Sequence, residues 1–429
     1  MSELKERIKG RLGDLLPLKY GKSLPAAVRD NTGSVPVYGS SGVVGNHSAV
    51  LTSGPAIIVG RKGNVGAVHY SAVPCWPIDT SYFAEAPIGH DPRYYRYLLD
   101  SLGLARLDKS TAIPGLSRDD YNAVEVTIHP PEQQAEVVAE IEKQFSRLDE
   151  AVANLLRVKS NLKRYKASVL KAAVEGRLVE TEASIAQREG RSYETGEQLL
   201  QRILEERRAK WTGRGKYKPP VQPPTDWHDV SPEGWTVATA EQLTYLITSG
   251  SRGWGDFYSK TGILFIRAQD IKTDTLNFHD AARVDVSVDA EGTRSSVSAG
   301  DILVTITGAN VTKSALVPEL GELAFVSQHV ALMKLAQLET APFVFNWIVS
   351  PANGRKTLES WAYGAGKPGL SLEQLRSLPV ALPPLPEQCR IVAEVERILS
   401  NVREVDVAVD ADLKRSQVLR QAILTKAFS

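Results

Sequence analysis

Cysteine and long apolar runs are what this 429-residue sequence lacks most plainly. Its two cysteines, Cys75 and Cys389, stand far apart, which excludes a disulfide framework and fits a reducing compartment. No run of about 18 apolar residues occurs, so no membrane span is expected. The first 11 residues are charged and have no apolar signal core, so a cytoplasmic protein is expected. The formal net charge is only +1, so bulk electrostatics does not attract a polyanion. A nucleic-acid binder of this composition must gather its basic residues on one face. The motifs of several chemistries are also missing. TGANVTKS at 307–314 lacks the glycine that a phosphate-binding loop places before its lysine, and Gly366–Lys367 runs into Pro368. There is no Asn/Asp-Pro-Pro-aromatic methyltransferase signature and no G-x-G cofactor loop following a strand. His47, His69, His90, His129, His228, His279 and His329 show no metal-ligand spacing with one another or with the cysteines. These absences point to a protein without metal or cofactor of its own, built to bind rather than to catalyse.

What is present is an internal repeat. PGLS at 114–117 returns 254 residues later at 368–371. PEQQAEVVAEIE at 131–142 is matched by PEQCRIVAEVE at 386–396, and SVLKAAVEG at 168–176 by AILTKAFS at 422–429. Upstream, the 56–68 segment answers 301–317 more loosely. After each PEQ, apolar residues recur at steps of four and three. In the first copy these are Val137, Ile141, Phe145, Leu148, Val152 and Leu155, followed after a phase break by Val158, Leu162, Tyr165 and Val169. In the second they are Ile391, Val395, Ile398, Val402, Val405, Val409 and Leu413. Each stretch predicts a helix of about 40 residues, about 60 Å long. A helix that long with one narrow stripe needs a partner. Either the two pair with each other, or each packs on its own module. If they pair and the modules are equivalent, the pairing is antiparallel.

The expected fold is α+β: two mixed-sheet modules separated by a long antiparallel two-helix coiled coil, with pseudo-two-fold symmetry. The boundaries are 1–129 for the first module, 130–208 for a central helical region, 209–230 for a Pro/Lys-rich linker, 231–383 for the second module and 384–429 for the C-terminal helix. Within the central region YETGEQLLQRILEERR at 193–208 predicts a shorter helix with Thr195 as its N-cap. The linker's prolines forbid helix. Its basic residues, from Arg207 to Lys218, either touch phosphate or are simply solvated. Short β-branched runs broken by glycine, such as PAIIVG at 55–60 and DILVTI at 301–306, predict mostly antiparallel sheet in both modules. Short helices are predicted at 93–102 and 341–350.

Glycines three apart occur at Gly39, Gly42 and Gly45 and again at Gly60, Gly63 and Gly66. They make either tight turns or loops that cradle phosphate through backbone N–H groups. The neighbours Arg61, Lys62, Asn64 and His69 suit phosphate and base-edge contact. So do Thr307, Asn310 and Lys313 in the matching loop of the second module. That module adds Ser251, Arg252 and Trp254 in SGSRGW, and Arg267 and Gln269 in FIRAQ. Arg252 and Arg267 could read guanine and Gln269 adenine. Equally, Trp254 could be core, and Arg267 could pair with Asp270 or Asp274. Lys109 and Lys367 complete the candidate DNA contacts.

Taken with the order module–helix–module–helix, several segments resemble the specificity subunits of type I DNA restriction–modification complexes. They are VPVYGSSGVVGNH at 35–47, GPAIIVGRKGNVGAVHYSAVPCWPIDTSYF at 54–83, PGLSRDDY at 114–121, SGSRGW at 249–254, GDILVTITGA at 300–309, VSQHVAL at 326–332 and PLPEQCRIVAEVE at 384–396. The similarity extends over essentially the whole chain. It implies a non-catalytic, prokaryotic, cytoplasmic subunit whose two target-recognition domains each read one half of a split, asymmetric double-stranded DNA site. The paired helices would fix the unread spacer. Two methyltransferase subunits and, through them, two restriction subunits are the implied partners, with AdoMet, ATP and Mg belonging to those partners. Family motif does not fix the base-reading residues. The last turn of the second helix is expected to be short, because the sequence stops at Ser429 where the first copy goes on. Two other readings stand beside this one: a similar subunit serving a combined methylase–nuclease or a methylation-only system, and a coiled-coil adaptor whose modules bind proteins.

Overall fold

Short β-branched runs bounded by glycine form the strands, and the two heptad-like stretches form uninterrupted helices. A computed structural model describes residues 6–30, 33–108, 114–211, 216–223, 232–286, 294–362, 364 and 368–429. The chain divides into two compact units, Met1–Val158 with Ala408–Ser429, and Lys159–Val407. The helical segments are thus shared between the two units and form no third one.

In the first unit Ile8–Arg11 pairs antiparallel with Glu125–Ile128, so the module's two ends meet. Its main sheet has four antiparallel strands in the order Lys19–Tyr20, Ser81–Ala84, Ala56–Gly60, Val68–Ser71. Ala56–Gly60 is buried along its whole length, as an unbroken apolar run requires. A smaller sheet joins Gly42–His47, Val35–Gly39 and Trp76–Pro77, the last two in parallel. Helix Pro92–Leu102 starts on the Asp91 cap and stops at Gly103, whose φ of 60° ends it.

The second unit follows the same plan with insertions. Thr236–Thr239 pairs with Pro379–Leu382. The main sheet runs Thr244–Ser249, Val330–Leu335, Ile302–Thr305, Ser314–Leu316, all antiparallel. The second sheet has grown to five strands but keeps one parallel pair, Ile263–Ile266 with Ala324–Val326. Helix Gly196–Ala209 begins at Thr195 in a full capping box, as its sequence predicts. Helix Glu182–Glu189, which the apolar pattern did not announce, precedes it. The duplication is visible in single hydrogen bonds: Gln134 Nε2 donates to His129 O at 3.0 Å, and Gln388 Nε2 to Pro383 O at 2.9 Å.

The long helices are Pro131–Val174 and Leu385–Phe428, 44 residues each. In the first unit Ile141, Phe145 and Leu424 enter the module's own core. Arg420 donates to Asp149 at 2.7 Å and lies 4.1 Å from the Phe145 ring, while Phe428 meets Tyr94 edge-on at 5.2 Å. The end of the second helix therefore runs back along the start of the first. In the second unit Val169, Leu170, Ala173 and Val174 share a core with Ile391 and Val395. The two readings left open by the sequence are both realised, since the helix segments pair and also pack on the modules. Leu148, Val152, Leu155, Ile398 and Val402 are half-buried and Val409 is buried. Val405, expected in the seam, is 44% exposed instead. Val158, just after the phase break, is exposed too. Each helical residue turns by about 100°, so a one-residue slip carries a side chain off a narrow stripe. The described part of the linker is docked rather than free: Val221 N donates to Glu241 at 2.9 Å and Thr239 Oγ1 to Val221 O at 2.8 Å. Arg207 donates to Thr244 O and the Tyr217 hydroxyl. Among the described residues no helix is long and apolar enough to cross a membrane.

Candidate nucleic-acid interface

The loop leaving strand Ala56–Gly60 is a tight return. Gly60 N donates to Ala67 O and Gly66 N to Gly60 O, both at 2.8 Å. Gly63 and Gly66 hold φ of 78° and 73°, and a Cβ on Gly66 would lie 2.3 Å from Ala105 N. Glycine is needed there for conformation and for space. In the second module Thr305 N donates to Lys313 O at 2.8 Å and Thr312 N to Thr305 O at 2.9 Å. Gly308 takes the part of Gly63, with φ 93°, and Thr312 that of Gly66, with φ 72°. A β-branched residue in this region carries backbone strain of about 1–3 kcal/mol.

Each loop is joined to its own copy of PGLS. Lys62 pairs with Gly115, and Leu116 N donates to Arg61 O at 3.0 Å. Thr307 pairs with Gly369, and Leu370 N donates to Ile306 O at 2.9 Å. The serine that follows caps a short helix in both copies. Two features recognised separately in the sequence, the loop and the tetrapeptide, therefore form one rim, made twice.

On the first rim Lys62 and Asn64 are exposed. Arg61 instead donates through Nε and Nη2 to Asp79 O, at 3.0 and 2.7 Å, and the His69 ring nitrogen lies 3.1 Å from Ser40 O. On the second rim Asn310 Nδ2 donates to Ala268 O at 3.2 Å and Lys313 Nζ to Asn310 Oδ1 at 2.7 Å. This ties the loop to the Arg267–Gln269 turn. Arg267 donates to both carboxylate oxygens of Asp270, at 2.9 and 3.0 Å, which holds its guanidinium still further above the usual range. The Gln269 amide lies against that guanidinium. Of the two partners considered for Arg267, Asp270 is the one in place; Asp274 pairs with Arg355 and Lys166. Trp254 is core: it is 6% exposed and stacks on Phe265 at 4.8 Å and Phe325 at 6.2 Å, because its 3-10 turn folds it under the second sheet. Arg252 is exposed, and Ser251 Oγ accepts from Arg294 at 2.8 Å. Lys109 and Lys367 lie outside the described residues.

Sequence reading missed Tyr20, Lys22 and Arg118. Tyr20 pairs with Tyr82, which pairs with Val59; Ser249 pairs with Ala331, which pairs with Val304. Tyr20–Gly21–Lys22 thus occupies the place of Ser249–Gly250–Ser251. The available signal was the central glycine. A Cβ on Gly21 would sit 2.1 Å from Ile78 O, and one on Gly250 1.9 Å from Val326 O.

Two sheet modules with matching rims, carried on segments of the same two helices, define a duplicated binding protein. Residues 6–157 match the family model of the Type I restriction modification DNA specificity domain. The chain is 26% identical over 381 residues to the Type I restriction enzyme EcoBI specificity subunit of Escherichia coli, covering 87% of this chain and 72% of that one. It is 22% identical over 442 residues to the EcoDI specificity subunit of Escherichia coli, covering 97% and 86%. Two solved structures share the fold. One is a chain from work on complex assembly and conformational transition of the type I R-M system, with TM-score 0.60, 17% identity and 99% and 98% coverage. The other is the HsdS subunit from Thermoanaerobacter tengcongensis, with TM-score 0.51, 18% identity and 99% and 97% coverage. Over residues 6–157 the chain carries that family's domain, and over most of its length it is similar to type I restriction–modification specificity subunits.

Proposed function

We propose that this chain is the non-catalytic DNA-reading subunit of a type I complex and that each module reads one half of a split double-stranded target. The observation that carries this reading is the rim made twice, a loop bearing amide and cationic side chains zipped to a PGLS segment. The paired helices set the length of DNA left unread between the halves. They also dock two methyltransferase subunits, and through them two restriction subunits. AdoMet, ATP and Mg act on those partners, in a prokaryotic cytoplasm. On the first rim Lys62 and Asn64 are available to DNA. On the second, Arg252, Thr307 and Lys313 approach it while Arg267, clamped to Asp270, shapes the turn that presents Gln269.

The test is adenine-methylation sequencing of cells expressing the chain with a type I methyltransferase subunit that copurifies with it. One bipartite methylated motif, present only when both proteins are made, is the expected result. A methylated genome with no split motif, or none methylated at all, would defeat the reading.

A further inference from the structure

We propose that Arg61 and Arg118, converging on Tyr20, form a phosphodiester clamp in the first module that the second module lacks; this deepens the DNA-reading assignment above and rests on it. The Arg118 guanidinium lies 5.2 Å from the centre of the Tyr20 ring and that of Arg61 5.5 Å. Arg61 also lies 5.9 Å from the Tyr82 ring, which packs edge-on against Tyr20 at 5.0 Å. The Tyr82 hydroxyl donates to Leu116 O at 3.1 Å, fastening the cluster to the PGLS segment that leads into Arg118. Tyr20 is 52% exposed, so the cluster opens on solvent at the rim.

Charge points to the ligand. Arg61 spends two donors on a main-chain carbonyl and, among the described residues, none on a carboxylate. Arg118 has neither a hydrogen-bond nor an ion-pair partner among the described residues, and exposed Lys62, paired through its backbone with Gly115, adds a third cation to the same junction. Two guanidiniums held on one ring without a neutralising acid repel each other, and an anion between them removes that cost. Guanidinium matches phosphate geometry through paired N–H donors. The second module has Ile306, Ser249 and Leu372 at the equivalent positions, so it has neither the ring nor the charges. Sequence-independent electrostatic grip is therefore concentrated on the first half-site.

The test uses the full chain copurified with its methyltransferase, and labelled duplexes carrying either the methylated motif or a scrambled one. Binding is measured against NaCl concentration. Arg118→Ala should weaken binding several-fold on both duplexes and reduce the slope of log K against log salt by about one, leaving the methylated motif unchanged. Leu372→Ala, at the matching place in the second module, should leave the slope as it is. Tyr20→Leu keeps both charges but removes their support, so it should lower affinity with the slope retained. An unaltered slope and affinity in Arg118→Ala would overturn the clamp. So would a changed motif, which would make Arg118 a base reader. If the unsubstituted complex itself shows no salt-dependent duplex binding, the DNA-reading assignment falls and the clamp with it.

Discussion

At the scale of single residues, His129 shows how a buried polar group fixes a pH response. Its Nδ1 lies 2.9 Å from the Tyr94 hydroxyl, and its backbone N–H donates to the same oxygen at 2.8 Å. The hydroxyl accepts from the backbone N–H, which leaves its own O–H to donate to the ring nitrogen of a neutral imidazole. Burial, with the Arg7 charge added, holds the imidazole below its usual range, and burial pushes the Tyr94 hydroxyl up to about 12. The unfolded chain takes up the proton first, near the ordinary histidine value of about 6.5. Stability from this site is therefore complete above that pH and is lost as pH falls toward the lower folded value. The unfolding midpoint should drop between about pH 7 and 5. His129→Asn should lower the midpoint at neutral pH but flatten this part of the profile; an equal slope in both proteins would remove His129 as the cause.

At the scale of elements, the helices test how far a heptad reading carries. Phe145 is buried, with the Tyr97 ring 5.7 Å away and Arg420 against it. Truncation to alanine should cost about 3–5 kcal/mol in urea unfolding. Val405→Ala, on the same apolar pattern but exposed, should cost under about 0.5 kcal/mol. Equal losses would mean that the stripe is packed along its whole length. The periodicity made both long helices legible, because a stripe repeated over about five turns or more leaves little room for another reading. It could not say where the stripe stops being buried, since that depends on what lies opposite. Helix Glu182–Glu189 escaped because it buries mainly alanines, Ala183 and Ala186, together with the Glu182 carboxylate. That carboxylate is held by Arg191 and Arg390, a partner 208 residues away that no local pattern can supply. The rims were half legible. Glycine spacing marked the loops and PGLS marked the repeat, but only the fold brought them together. The ion pair that occupies Arg267 and the aromatic packing that occupies Trp254 are tertiary facts.

At the scale of the whole molecule, the duplication predicts that each module can be exchanged on its own. The first begins and ends in one antiparallel pair, Ile8–Arg11 with Glu125–Ile128, and the second in Thr236–Thr239 with Pro379–Leu382. Chain entry and exit therefore lie side by side, and a replacement domain closed by the same pair leaves the helices where they were. The junction is also tolerant chemically. Gln134 grips the main-chain oxygen of His129, and any residue placed there offers the same acceptor. The constraint lies deeper, in Ile141 and Phe145, which the helix lends to the module's core. A graft must bring apolar neighbours of similar volume for them, or it will lose the several kcal/mol that such burial provides. Exchanging residues 1–129 for the corresponding domain of a relative with a different target, chosen to keep that contact, should change one half of the methylated motif and leave both the other half and the spacer unaltered. Methylation sequencing of the hybrid reads all three at once. A change in both halves would mean that the modules do not read separately, and a changed spacer would mean that the ruler lies in the modules and not in the helices.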